Sequence, residues 1–212
     1  MQPRDIAFAG IGLILAGTFI GLGIWQLDRL GQRREFNRAL RSRAETPPVP
    51  LAAVPADTGA AHYTRVALSG SYDFANEIVI TTRSRNGSPG VNIITPVRVP
   101  GSDTAVLVNR GWIYAPDGMT VDLARWREPD AVEGEAYVEN FSSRTGEVKA
   151  TRIPNAYRWM DRPALSQAFP YPIAPFYLVL IGETQTPPAD VPPRVPVPPL
   201  DEGSHRSYAF QW

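Results

Sequence analysis

Between Asp5 and Asp28 the chain carries no charged residue. At about 1.5 Å of rise per residue, the roughly 22 residues of segment 6–27 reach about 33 Å as a helix, against about 30 Å for a bilayer core. The pattern predicts a transmembrane helix over residues 6–27. It exits through Gly23-Ile24-Trp25-Gln26-Leu27-Asp28-Arg29. A cleaved signal peptide is the competing reading, but its apolar region would run about 7–15 residues and close on small residues. This run is longer and closes on a tryptophan, a leucine and charged residues, which favours an uncleaved anchor.

Past the run, Arg29, Arg33, Arg34, Arg38, Arg41 and Arg43 stand on a background of Leu, Phe and Ala. This predicts a helical extension near lipid headgroups, with arginines snorkelling to phosphate. Thr46-Pro47-Pro48-Val49-Pro50 stops it, since proline lacks an amide donor and disfavours helical geometry in the residue before it. Residues 28–60 therefore read as juxtamembrane helix and Pro-rich linker.

From Tyr63 the period becomes that of strands. Val66 and Leu68 alternate with polar neighbours toward Tyr72, segments 78–82 and 91–95 are rich in β-branched residues, and 105–109 is nearly all apolar. Asn86-Gly87 and Pro100-Gly101 supply turns between them. Further strands are expected at 132–141 and 176–183, with a short helix at 162–168. The expectation is a membrane-anchored α+β chain whose residues 61–186 form a β-rich antiparallel domain, barrel- or sandwich-like. Residues 187–204 are dense in proline and read as a stiff extended spacer, with a ligand for a proline-binding domain as the alternative. Residues 205–212 resume a helix-compatible aromatic run.

Composition narrows the function. Formal net charge is zero and Lys and Arg are scattered after residue 45, so no basic stripe points to nucleic acid. Cysteine is absent, which removes disulfides, thiolate metal sites and redox thiols and leaves the redox compartment open. Only residues 1–5 precede the run, so no transit peptide is expected, and a bacterial plasma membrane is.

Candidate chemistry is sparse. The histidines are His62 and His205, and no H-E-x-x-H, G-x-S-x-G or phosphate-cradling glycine motif occurs. Asp117, Asp122 and Glu128 read as solvated loop carboxylates. Gly17 and Gly21, four apart, share a helix face that would admit a second helix, though small residues also occur in membrane helices without that role. Trp25 reads as an interfacial anchor with Arg29 one turn on. Arg110-Gly111-Trp112 ends a strand, with a special backbone position at Gly111 and Trp112 covering one end of the sheet. The plainer reading is a core tryptophan and a structural arginine. His205 could ligate a metal or haem iron, or lie at the surface.

Taken in order, these motifs resemble the surfeit locus protein 1 family, membrane assembly factors for cytochrome c oxidase. The resemblance rests on G-x-W-Q-L-x-R at 23–29, Tyr63-Thr64-Arg65-Val66 leading to Gly70-Ser71-Tyr72-Asp73, and Gly90 with Thr95-Pro96. Leu107-Val108-Asn109-Arg110-Gly111-Trp112 and His205 with Tyr208-Ala209 and Trp212 complete it. It implies two membrane helices flanking a β-rich domain on the periplasmic side of a bacterial inner membrane. It further implies a chaperone, not an enzyme, acting as haem A enters the oxidase catalytic subunit. The implied partners are that subunit and haem A synthase; the implied haem A ligand, held in passing, is His205. Gly17, Gly21, Trp25 and Arg29 would contact membrane or partner, and Arg110, Gly111 and Trp112 would shape the domain.

Three features depart from the pattern. The chain stops at Trp212, about 18 or more apolar residues short of a second span, so truncation there is expected. Gly203 stands where the family has asparagine. The arginines after the run would place the domain in the cytoplasm by the positive-inside tendency, whereas the resemblance places it in the periplasm. The rival readings are a scaffold that binds an oxidase subunit without touching haem, and a haem-modifying enzyme, which the lack of an acid, base or redox constellation argues against.

Overall fold

The structure, a computed structural model, describes residues 2–144, 146–149, 153–182, 190–197, 200, 204, 207, 208 and 211, apart from the side chains of residues 5–7. The chain divides into two compact units, Met1–Ser42 with Pro198–Trp212, and Arg43–Val197.

In the first unit helix α1 (Pro3–Glu45) runs unbroken through the apolar run and the arginine-rich stretch. It is long and apolar enough to cross a membrane, and Phe8, Leu13, Ile14 and Ile20 on it are exposed. The prolines after Thr46 end it, with the Thr46 amide closing a last turn on the Arg43 carbonyl at 3.2 Å.

The second unit is built on one mixed sheet. Its strands are β1 (Val49–Pro50), β2 (Arg65–Tyr72), β3 (Ile78–Arg85), β4 (Ser88–Arg98), β5 (Ala105–Tyr114), β6 (Ala131–Glu139), β7 (Ala156–Tyr157) and β8 (Ile173–Leu180). Helix α2 (Thr58–Ala61) precedes β2, and α3 (Arg162–Ala168) precedes β8. The order across the sheet is β1-β2-β6-β8-β5-β4-β3-β7. In the β3–β4 hairpin, Asn86 and Gly87 take φ of 51° and 79°, the positive values that a type I′ turn needs. The Asp161 carboxylate caps α3 by accepting from the Ala164 amide at 2.9 Å, and proline occupies its first turn.

The antiparallel expectation holds for the β3–β4 and β4–β5 hairpins and for β2–β4, β2–β6 and β6–β8, and fails at three pairings. Pairings β1–β2, β3–β7 and β5–β8 are parallel. A hairpin forces antiparallel neighbours, whereas β8 returns to β5 after β6 and α3, so its direction is free of any turn. β2 pairs with β4 as well as β6, through Ser71↔Arg98 and Tyr72↔Val97. Following the order from β2 through β6, β8, β5 and β4 therefore leads back to β2. Val66, Leu68, Val97, Val106, Val108, Leu178 and Leu180 pack together as one core on this side of the strands. The opposite side carries Ile80, Ile94 and Leu107, packed against Met160, Leu165 and Phe169 around α3.

The β4–β5 ladder is irregular at one point. Ile93 faces Gly111 while Ile94 faces Asn109, so Arg110 is an extra, unpaired residue, a β-bulge.

Candidate functional site

Arg110 follows the apolar Ala105–Val108 and the polar Asn109 on β5 and is fully buried. A guanidinium stays charged, and removing it from water costs several kcal/mol unless its N–H groups are taken up. Here all three nitrogens are engaged. Nε donates to Glu128 Oε2 at 2.9 Å, and Nη1 donates to Glu77 Oε1 at 2.6 Å and to Thr95 Oγ1 at 3.4 Å. Nη2 donates to the Trp126 carbonyl, and the Thr95 hydroxyl donates to Glu77. The rings of Tyr72 and Phe74 lie 5.1 and 5.0 Å from the guanidinium carbon, within cation–π range.

Arg194 completes the node. Its Nη2 donates to Glu128 Oε1 at 2.5 Å, and its Nη1 donates to Glu128 Oε2 at 3.2 Å and to the Arg110 carbonyl at 2.6 Å. Two guanidiniums and two carboxylates balance in charge. Burial pushes the Glu77 carboxyl above its ordinary range, against the pull of the Thr95 hydroxyl and of Arg110. The Tyr72 hydroxyl is pushed up to about 12, first by burial and then by the charge of Glu128.

Arg194 lies in 190–197, the described part of the segment whose sequence suggests a spacer. That part is fastened to β5. The Trp112 amide donates to the Pro193 carbonyl at 2.9 Å, and Arg85 Nη1 donates to the Arg194 carbonyl at 3.4 Å. Prolines can only accept along such a contact, so the strand amide and the guanidinium supply the donors. Gly111 permits the approach: a Cβ there would stand 2.6 Å from the Pro193 carbonyl oxygen and 2.9 Å from Pro192 Cβ. Trp112 lies across Gly90, where a Cβ would come within 2.5 Å of the indole, and its Nε1 donates to the Arg83 carbonyl at 3.3 Å. Two separate sequence signals, Gly90 and Trp112, are thus one contact.

Glu128 is a correction to the sequence reading. Its side chain is 10% exposed and pairs with two arginines, because the chain after Trp126 folds over the end of the core that holds Arg110. Asp117 and Asp122 do serve their loops. Asp117 accepts from the Thr120 hydroxyl at 2.6 Å and from the amides of Thr120 and Met119, which holds its carboxyl down to about 2. Asp122 accepts from the Ala124 amide at 3.1 Å.

On α1, Gly17 and Gly21 are exposed, and a Cβ at either meets nothing within 4 Å. Trp25 is 52% exposed, and Arg29 Nη1 donates to Gln32 Oε1 at 3.0 Å. His205 lies outside the described residues. His62 Nε2 is 2.8 Å from Glu139 Oε1, and its ring stacks on Tyr63. Among the described residues no cluster of His, Cys, Asp and Glu gathers to hold a metal ion.

Sequence reasoning passes over Glu77 and Arg194, and takes Thr95 only as part of a motif. A lone arginine in an apolar strand announces that a carboxylate must come to it, but with 21 acidic residues in the chain it does not say which.

An apolar helix joined in sequence to a β-domain that clamps its own proline-rich segment defines an α+β protein whose best-built polar site ties chain segments together. Residues 13–212 match the SURF1 family, and the chain belongs to that family. Surfeit locus protein 1 of Takifugu rubripes is 32% identical over 158 residues, which cover 68% of this chain and 64% of the relative. The SURF1-like protein of Monosiga brevicollis is 29% identical over 66% of this chain and 58% of its own length. The cytochrome oxidase assembly protein SHY1 of Saccharomyces cerevisiae is 26% identical over 70% of this chain and 40% of its own. The matched part thus spans less than two thirds of these relatives.

Proposed function

We propose that this chain is a membrane-anchored factor in cytochrome c oxidase assembly, working by binding and not by catalysis. Membership of the SURF1 family, with a relative named as a cytochrome oxidase assembly protein, carries the reading. In this reading α1 anchors the protein through residues 6–27, and the β-domain lies on the periplasmic side of a bacterial inner membrane. Gly17 and Gly21 offer a partner helix close approach, and Trp25 and Arg29 hold the helix at the membrane surface. The Arg110 node keeps the domain in one shape for its partner, the oxidase catalytic subunit.

The finer reading adds haem A on its way from haem A synthase to that subunit. Haem A, when bound, supplies an iron that an imidazole can ligate. The imidazole is His205, the residue that the resemblance to the family implies. The alternative is that the domain holds an oxidase subunit without haem contact.

The test is oxidase activity together with haem A content of the purified oxidase from cells lacking the gene, complemented by wild type or by His205→Ala. Loss of both, restored by wild type alone, is expected if His205 takes part in haem delivery. Restoration by His205→Ala leaves the scaffold reading standing and removes the finer one. Normal oxidase in cells without this gene or any duplicate of it would sink both.

A further inference from the structure

Across the sheet from the Arg110 side chain, Asn109 borders a cavity of about 230 Å³. Ile80, Ile94 and Met160 give it an apolar floor, and Arg83, Arg144, Trp159 and Asn140 contribute polar wall. Among the described residues no aspartate or glutamate lines it. Among the described residues neither Arg83 nor Arg144 has a carboxylate partner.

Three polar atoms of this wall are buried without a hydrogen-bond partner among the described residues: Arg83 Nε, Trp159 Nε1 and Asn140 Oδ1. Each such atom is destabilising when left bare. Arg83 Nη2 does donate to the Arg158 carbonyl at 2.7 Å, but among the described residues no carboxylate pairs with it. Burial lowers the Arg83 pKa, the Tyr177 hydroxyl beside it pulls it back up, and the nearby charge of Arg144 lowers it.

A strained residue adjoins the same wall. The β3–β4 register shifts between Ile80 and Arg83, and Thr82 within the shift takes a φ of 58°. Positive φ is an outlier for a β-branched residue, held only where the surroundings impose it. A bulge is a device for re-aiming the side chain after it, here Arg83. Strain, unpaired donors and two uncompensated guanidiniums converge on one cavity.

We propose that this cavity binds a small organic acid. The carboxylate lies against Arg83, Arg144 and the Trp159 indole N–H, the apolar body rests on Ile80, Ile94 and Met160, and a hydroxyl or amide of the ligand donates to Asn140. A guanidinium and a carboxylate match in charge and planar geometry. A bare inorganic anion would leave the apolar floor unused, and the cavity exceeds several-fold the share of one water, about 30 Å³. A neutral apolar guest would leave both arginines unpaired.

The probe is 4-hydroxybenzoate, which carries a carboxylate, a ring and a donor hydroxyl. It is titrated into the full chain in detergent, and the Trp159 indole N–H resonance, assigned by its loss in Trp159→Phe, is followed. A saturable shift with a dissociation constant of about 1 mM or tighter is expected. Affinity should fall by about tenfold or more in Arg83→Gln, in Arg144→Gln and for the neutral 4-hydroxybenzyl alcohol. Arg144 is exposed, so its variant keeps the test valid if Arg83→Gln fails to fold. Absence of a saturable shift, equal binding of the alcohol or of inorganic phosphate, or unchanged affinity in Arg144→Gln would each overturn the assignment. None of these readouts depends on the role in oxidase assembly.

Discussion

Arg110 and Arg83 stand on opposite sides of one sheet and are treated in opposite ways. Arg110, fully buried, meets two carboxylates, a hydroxyl, a carbonyl and two aromatic rings. Arg83, partly buried, has a carbonyl at one nitrogen, a bare Nε and a second arginine nearby. Both sit at bulges, so the backbone device is shared and the surroundings differ. A charge whose every partner comes from the protein is part of the fold. A charge whose partners are missing is available to something else.

The largest expected effect separates the two directly. Arg110→Met should cost about 3–5 kcal/mol in urea denaturation of the full chain in detergent, because Glu77 and Glu128 lose their common partner inside the core. Arg83→Met should stay within about 1 kcal/mol, since no carboxylate is stranded. Equal losses would mean that the two arginines do the same structural job.

Alkaline pH tests the same node from the other direction. Tyr72 is pushed up from 10.0 to about 12 in the folded chain. The folded state therefore holds that proton more tightly than the unfolded one. The contribution is whole below about pH 10 and is lost as pH rises through about 12, up to about 3 kcal/mol. Tyr72→Phe should flatten that part of the stability curve, and a curve unchanged by it would show that other groups govern the alkaline limb.

A smaller effect is expected at Gly111. Gly111→Ala should cost about 2 kcal/mol and expose residues 190–197 to protease, since its Cβ collides with the clamped prolines. Gly17→Ala meets open space, so it should leave stability within about 0.5 kcal/mol of wild type. Protection of residues 190–197 that survives Gly111→Ala would mean that Arg194 alone holds the segment.

Much of the fold is legible in the residues. The segments read as strands at 78–82, 91–95 and 105–109 fall within β3, β4 and β5, and the short helix expected at 162–168 is α3. Alternation and turn chemistry are local, so they survive in any tertiary context. Arg110, Gly111 and Trp112 stand out as a group in the sequence, and each makes a distinct contact in the structure. What escapes is long-range. Glu77 and Glu128 look like any other acids in the sequence, and the parallel entry of β8 beside β5 leaves no local mark.

By itself, then, the sequence determined the apolar helix, the strand positions, the turns and the family, because each depends on neighbours a few residues away or on motif order. Only the tertiary structure decided which carboxylates reach Arg110, that the proline segment is fastened at Gly111, and that Arg83 and Arg144 share a cavity with no acid among its described lining residues. Such pairings join residues far apart in the chain, 84 positions in the case of Arg194 and Arg110. A charge buried in a core must find its partner through space, and spacing along the chain carries no record of where that partner is.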